Sequence, residues 1–429
     1  MKVLWVCNIM LPVVAQQMQE PYSVREGWLS GILDRLLEEK TPSLELGICF
    51  PVRRELAGLR RELALGRWGR KVLCYGFWED LEHPERYDEG LETQFAGILS
   101  DFAPELLHIF GTEFPHACAC AKAYGRPERT LVGLQGIMSV CAGAYMADLP
   151  ESVQNSRTLR DILRRDSLRQ QQEKFYARAA FEERLLKSAG HVTGRTPFDR
   201  KMAAAANPGA VYHFMNETMR PAFYSGQWEA DRCRRYEIFI SQADYPLKGF
   251  HYLLGAMGEI LRACPEATVA VAGNSVLGTG GLLARLKIPA YGRYLRRLIK
   301  KYGLQDKIRV LGRLDEGQMK QAFLSCHVFV CPSAVENSPN SVAEAQLLGV
   351  PVAASDAGGI PGVVEDGVGG ILFAKGDVHA LAQAVLRIFS SGELARKLSE
   401  TERCSARIRY DGERNFKTLL GIYEEIYRA

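Results

Sequence analysis

Two carboxylates, Glu336 and Glu344, bracket a turn-rich stretch running from Pro332 to Gly349, PSAVENSPNSVAEAQLLG. Carboxylates so placed can face positive charge that grows in a transition state. The elements around them decide whether they can do so. An apolar run, Val328-Phe329-Val330, comes first and reads as a buried strand. Ser333 to Asn340 is a polar turn, and Ser341 to Leu348 reads as a helix stopped by Gly349. Pro351 to Ala354 reads as a second strand, with Gly358-Gly359 beyond it. The loop thus lies at the carboxyl end of a strand, where open α/β sheets bind ligands. The helix N-terminus offers free N–H groups and a positive dipole end to a phosphate. Glu344 has a second reading, because Ser341-Val342-Ala343-Glu344 fits a capping box with Ser at N-cap and Glu at N3. For Glu336, in a loop without charged neighbours, the alternative is a solvated carboxylate.

The frame Pro-Ser…Glu336…Glu344-Ala…Gly-Val-Pro-Val…Gly-Gly-Ile-Pro resembles the retaining family 4 glycosyltransferases. The resemblance implies an α/β chain of GT-B fold: two Rossmann-like, doubly wound parallel-sheet domains with a central cleft. It implies an acceptor-binding domain over 1–216, a nucleotide-sugar-binding domain over 217–408, and a C-terminal helix, 409–429, packed back on the first. The implied reaction moves a sugar, with retention, from a nucleotide diphosphate sugar to an acceptor hydroxyl in polysaccharide, glycolipid or glycoconjugate synthesis. A UDP-sugar is favoured over a GDP-sugar. The implied partners are that donor and a carbohydrate or lipid-linked acceptor, with no cofactor and no metal. Glu336 and Lys248 are the catalytic candidates. By resemblance Lys248 sits on the donor diphosphate, Glu336 bonds sugar hydroxyls, Glu344 the ribose, and groups near Arg313 and Leu314 the base. Asn274, Asn340, Ser341 and the Gly358 and Gly359 amides complete the donor set. Relatives place an arginine where this chain has Gln242, and usually a glutamate where it has Gly362; Arg313 is a candidate to restore the missing charge. A non-catalytic nucleotide-sugar-binding subunit and a GT-B epimerase are the alternatives.

On the acceptor side, His116 lies just past the predicted strand Leu106 to Phe110, and His108 lies within it. Gln135 and Gly136 follow the strand from Thr130 to Leu134; many relatives carry a histidine and a small residue there. A neutral amide positions a hydroxyl but is no base, so no protein base is evident. Arg195 follows the strand at His191 and either grips a ligand phosphate or forms a structural ion pair.

At 429 residues the chain needs two or three domains. Hydrophobic content of 47% and charged content of 24% are those of a globular protein, and a net charge of +4 gives no argument for nucleic acid. Eleven scattered cysteines fit a reducing compartment, and the C-x-C at Cys118 and Cys120 has no second pair at metal spacing. No apolar run approaches the ~20 residues of a membrane span. The start mimics a short signal peptide, but Asn8 and Pro12 interrupt it, and Val3 to Val6 reads better as a first strand. The loop after it, Asn8 to Tyr22, has no glycine, which counts against a dinucleotide site. The expected location is the cytoplasm. Two basic segments leave membrane contact open. Arg53 to Lys71 has seven basic and two acidic residues with interleaved leucines, and Ser156 to Lys187 has nine basic and five acidic. Each can lie on an anionic membrane surface or be a solvated helix face.

Overall fold

A computed structural model of the chain describes residues 1–21, 27–39, 44–274, 277–278 and 287–429. The end of the predicted first loop, at Tyr22, lies outside them. The chain forms two units. Unit 1 comprises residues 1–139, 174–220 and 409–429; unit 2 comprises 140–173 and 221–408. Residues 140–173, inside the first domain of the sequence reading, therefore belong with the second unit.

Unit 1 holds strands β1 (Lys2–Val6), β2 (Glu45–Val52), β3 (Arg60–Leu65), β4 (Arg70–Trp78), β5 (Leu106–Phe110), β6 (Thr130–Gly133), β7 (His191–Gly194) and β8 (Val211–Phe214). Their order in the sheet is β3-β4-β2-β1-β5-β6-β7-β8, and every pairing is parallel except β3 with β4. The central strands are buried and mostly apolar because helices cover both faces of a parallel sheet; β5 is buried at all five positions, His108 included.

The segment Arg53 to Lys71 is not a helix. It enters through a short 3-10 turn and becomes the antiparallel hairpin β3–β4. Its leucine spacing fits a helix, but Leu63 and Leu65 alternate inward at period 2. Gly66 and Gly69 supply the positive φ of the turn, 68° and 59°.

Unit 2 is a fully parallel sheet of β9 (Glu237–Ile240), β10 (Thr268–Ala272), β11 (Ile308–Gly312), β12 (Val328–Cys331), β13 (Val352–Ser355) and β14 (Ile371–Phe373). The order β11-β10-β9-β12-β13-β14 reverses between β9 and β12, which makes that edge-to-edge junction the topological switch point. In register, Ile238 faces Val328 and Phe239 faces Phe329. The helix before β11 spans Ala290–Lys301. Its first free amide, Ala290 N, donates to buried Asp161 (3.0 Å), which ties in the short helix Leu159–Arg164.

The last helix, Gly412–Arg428, is held to the centre of the unit 1 sheet by Tyr423. The Tyr423 hydroxyl accepts from Trp5 Nε1 (2.8 Å) and shares a hydrogen bond with His108 Nδ1 (2.6 Å). Burial lowers the His108 pKa to about 3, so its ring is neutral. His108 is thus a core group, and the hydroxyl bridges two strands through one helix residue. Tyr423→Phe orphans the Trp5 donor and His108 Nδ1 in a dry core. Each orphan costs about 1–3 kcal/mol, so the variant is expected to lose roughly 2–4 kcal/mol in urea unfolding. A loss under about 0.5 kcal/mol would show that the hydroxyl contributes nothing.

Candidate functional site

The unit 2 site is made by loops that leave the carboxyl ends of neighbouring strands. After β9 the chain runs to a short 3-10 turn, Pro246–Lys248, then Gly249 at φ 68° starts the helix Phe250–Ala263. A methyl group on Gly249 would overlap the Pro332 carbonyl, so the loops after β9 and β12 meet backbone to backbone. Ala334 N donates to Leu247 O (2.7 Å) across the same seam. The loop after β13 joins in the same way. Gly358 at φ 62° has no room for a Cβ beside the Glu336 carbonyl, and Gly359 N donates to that oxygen (2.8 Å).

This lacing brings the two catalytic candidates together. Lys248 Nζ lies 2.6 Å from Glu336 Oε1, which also accepts from Ser333 Oγ (2.8 Å). Ser333 is fixed in turn by Ser355 Oγ, which donates to its carbonyl (2.6 Å). Burial pulls the Lys248 ammonium down, but the Glu336 carboxylate and the Tyr245 ring outweigh it, and the pKa is raised overall. The pair is therefore a standing ion pair, with the two side chains 21% and 16% exposed. Among the described residues Glu336 Oε2 has no partner, so one oxygen can meet a ligand.

A second polar row runs along the other strand ends. Asn274, after β10, donates to Asp244 Oδ2 (2.8 Å), and Arg313, after β11, donates to Asn274 Oδ1 (2.6 Å). Asp244 Oδ1 is buried without a hydrogen-bond partner among the described residues. Arg313 is exposed and stands two strand spacings, about 10 Å, from β9. Gln242 is half-buried, with its Cα beside Gly273. Leu314, half-buried, follows Arg313.

The helix after the β12 loop spans Asn340–Leu348 and is capped by Pro339, with no side-chain cap bond. The capping box drawn on Ser341 and Glu344 does not form: Ser341 is the second helical residue and cannot act as N-cap. Asn340 and Ser341 are half-buried in the first turn, and Glu344 is buried one turn beyond Asn340. The proline two residues earlier than the expected cap presets the helical entry instead.

In unit 1 the acceptor candidates gather at the ends of β5 and β6, but two are already engaged. His116 is fully buried; its Nδ1 lies 2.6 Å from Glu79 Oε2 and its Nε2 3.1 Å from Asn8 Oδ1. It is therefore sealed in the wall, which corrects its reading as a cleft residue. Arg195 grips Glu217 (3.0 Å) and the Leu134 carbonyl (2.8 Å) and is 9% exposed, so the structural ion pair is what forms. Burial raises the Glu217 pKa to about 7 against the opposing charge of Arg195. Gln135 and Gly136 remain half-buried, and Gly136 N donates to Glu113 Oε1 (3.0 Å).

Sequence reading missed Ser333, Asp244, Glu113 and Glu182. Ser333 and Asp244 stand in the loops that carry Glu336 and Lys248, which was their only signal. Glu182, in the middle of the helix Leu168–Ser188, gave none; it accepts from Thr112 Oγ1 (2.5 Å) beside Glu113. Among the described residues no group of three or more His, Cys, Asp or Glu is placed to hold a metal ion, and no helix is long and apolar enough to cross a membrane.

Residues 229–404 match the family model described as glycosyl transferases group 1. A D-inositol 3-phosphate glycosyltransferase of Streptomyces griseus is 31% identical over 153 residues, which is 36% of this chain and 31% of the relative. The curated relatives are matched over less than half of their own length. Among solved structures, a sucrose-phosphate synthase of Thermosynechococcus elongatus superposes with a TM-score of 0.71 at 14% identity, covering 100% of this chain and 99% of that one. Anabaena HepE in complex with UDP superposes with a TM-score of 0.64 at 16% identity, covering 99% and 100%. The fold is GT-B.

Glu182 allows a test of how the loop after β5 is held. Burial raises its pKa to about 7 from 4.5; the Thr112 hydroxyl and the amides after β6 oppose this, and the charge of Glu113 adds to it. Between those values the folded protein holds a proton that the unfolded chain releases. Wild-type stability therefore falls as pH rises from 4.5 to 7. Glu182→Gln removes this dependence and should gain on wild type by on the order of 3 kcal/mol between pH 4.5 and 8. Parallel stability curves for the two proteins would refute the assignment.

Proposed function

We propose, from the premise that residues 229–404 form a glycosyl transferases group 1 domain, that the chain transfers a sugar from a nucleoside diphosphate sugar to an acceptor hydroxyl. The observation that carries this reading is the Lys248–Glu336 pair at the switch point of the unit 2 sheet. Breaking an anomeric bond builds positive charge on the sugar and negative charge on the departing phosphate. The site offers a group for each. Lys248, the helix N-terminus at Asn340 and the Gly358 amide face the phosphate, while the Gly359 amide is already spent on the Glu336 carbonyl. Glu336 faces the sugar, bonding its hydroxyls through Oε2 and opposing its positive charge.

A uridine nucleotide is the favoured donor, in keeping with the UDP held by HepE, a protein of the same fold. Asp244, Asn274 and Arg313 follow β9, β10 and β11, one, two and three strands from β12, and suit the nucleoside end. Arg313 then reads as a base or ribose contact, and Lys248 carries the diphosphate without the arginine that Gln242 replaces. Transfer proceeds with retention and without metal. His116 and Arg195 being engaged elsewhere among the described residues, the leaving phosphate takes the acceptor's proton.

Glu336→Gln should cut turnover at least ~100-fold, because one electrostatic contact made in the transition state is worth about 3 kcal/mol. Nucleoside diphosphate binding should hold or tighten, since neutralising Glu336 releases Lys248 to the phosphate. Lys248→Ala should weaken nucleoside diphosphate binding and lower kcat/KM by ~10- to 100-fold. Equal turnover of wild type and Glu336→Gln, on donor and acceptor found by screening nucleotide sugars, would overturn the assignment.

Turnover is also expected to persist in excess EDTA. Loss restored by Mg2+ or Mn2+ would show that the diphosphate charge is met by a cation and not by Lys248 alone.

A further inference from the structure

The helix Leu159–Arg164 in unit 2 is amphipathic the wrong way round. Its aspartate is inside: Asp161 is 1% exposed and bonds the amides of Thr158 and Ala290. Its apolar residues are outside: Leu159, Ile162 and Leu163 are 62%, 59% and 75% exposed. They stand at i, i+3 and i+4 and form one face. Leu163 is the most exposed large apolar side chain among the described residues. Scattered surface leucines need no explanation, but three on one turn of a helix do.

The surroundings of this face are cationic. Arg157, just before the helix, lines a groove of about 870 Å³ together with Leu159 and with Arg293, Arg297 and Lys300 of the helix Ala290–Lys301. Arg164 and Lys301 extend the same charge, and all six cations are exposed. None of the six makes an ion pair among the described residues. The nearby aspartates are already used: Arg160 pairs with both Asp161 and Asp166. An apolar face with unpaired cations around it complements an anionic, amphiphilic surface. It does not complement a dissolved polyanion, which would leave the leucines in water.

In the other basic segment, Arg53 to Lys71, four of the seven cations are held by the protein itself. Arg53 pairs with Glu20, Arg60 with Asp101 and Lys71 with Glu62, and Arg70 is buried on the Leu36 and Leu44 carbonyls.

We infer that the face of unit 2 formed by Leu159, Ile162 and Leu163, with Arg157, Arg164, Arg293, Arg297, Lys300 and Lys301, docks on a bilayer containing anionic phospholipids. The apolar side chains enter the interface and the cations sit at the phosphate level. Docking does not depend on the proposed transfer reaction and is read without any activity.

Co-sedimentation with vesicles tests it. The full chain should bind vesicles of phosphatidylcholine mixed with phosphatidylglycerol at least ~10-fold more tightly than phosphatidylcholine alone. The triple variant Leu159→Ser, Ile162→Ser, Leu163→Ser should lose ~10-fold or more on the mixed vesicles with its charge intact. The variant Arg293→Glu, Arg297→Glu, Lys300→Glu should lose ~100-fold or more. The serine positions are exposed, so melting should not change; if the triple variant melts early, Leu163→Ser alone carries the test. No binding to the mixed vesicles would overturn the inference. So would binding that the serine variant keeps, which marks a polyanion surface. Loss on Arg67→Glu and Trp68→Ser in the hairpin, with the unit 2 variants unaffected, would place the contact elsewhere and equally overturn it.

Discussion

Two backbone carbonyls, those of Pro332 and Glu336, set how closely three loops of unit 2 can meet. The loops after β9 and β13 press against them at Gly249 and Gly358, and at neither place is there room for a side chain. Close approach here is what brings Lys248 within 2.6 Å of Glu336. A few tenths of an ångström of backbone displacement at either glycine would be passed on to the ion pair, because the interior cannot absorb it. The switch point of the sheet makes the position available. The glycines make it tight enough for a charged pair to stand at the rim of the core.

The electrostatics follow from that placement. An ion pair at this depth is sheltered enough to persist and open enough to exchange one partner for a ligand. The pair is a pre-formed positive and negative pole, and a polarising bond laid across it meets opposite charge at both ends without reorganisation. The Asp244–Asn274–Arg313 row differs, being hydrogen-bonded end to end across three strand ends. A row of that kind recognises shape and hydrogen-bonding pattern better than it stabilises growing charge.

Unit 1 resolves its buried polar groups internally. His116 is held by Glu79 and Asn8, Arg195 by Glu217, and Glu182 by the Thr112 hydroxyl. These contacts rigidify the loops after β1, β5, β6 and β7, and the C-terminal helix locks the same sheet through Tyr423. Buried polar networks cost stability unless fully satisfied. The orphan atoms left at Glu217 and Thr193 show where this one falls short.

Local pattern was enough for the parallel strands, since a covered strand is mostly apolar, and for the glycines that stop or bend the chain. The stretch around Glu336 was legible as a polar loop after an apolar run, whereas Lys248 was singled out by the family resemblance alone. Four matters were not legible. The strand Arg60–Leu65 hides because its leucines satisfy both a helical and an alternating period, and only pairing with a neighbouring strand chooses. The absent capping box hides because Ser341 and Asn340 compete as helix starts, and Pro339 decides through its fixed φ. His116 and Arg195 resembled ligand-facing groups until Glu79 and Glu217, distant in the chain, were seen to hold them. Residues 140–173 resembled part of the first domain until Asp161 met Ala290. In each case the sequence by itself determined the residue's chemistry and its local geometry. The tertiary structure decided its partner, because partners are chosen by contacts between segments far apart in the chain, which no local period or spacing encodes.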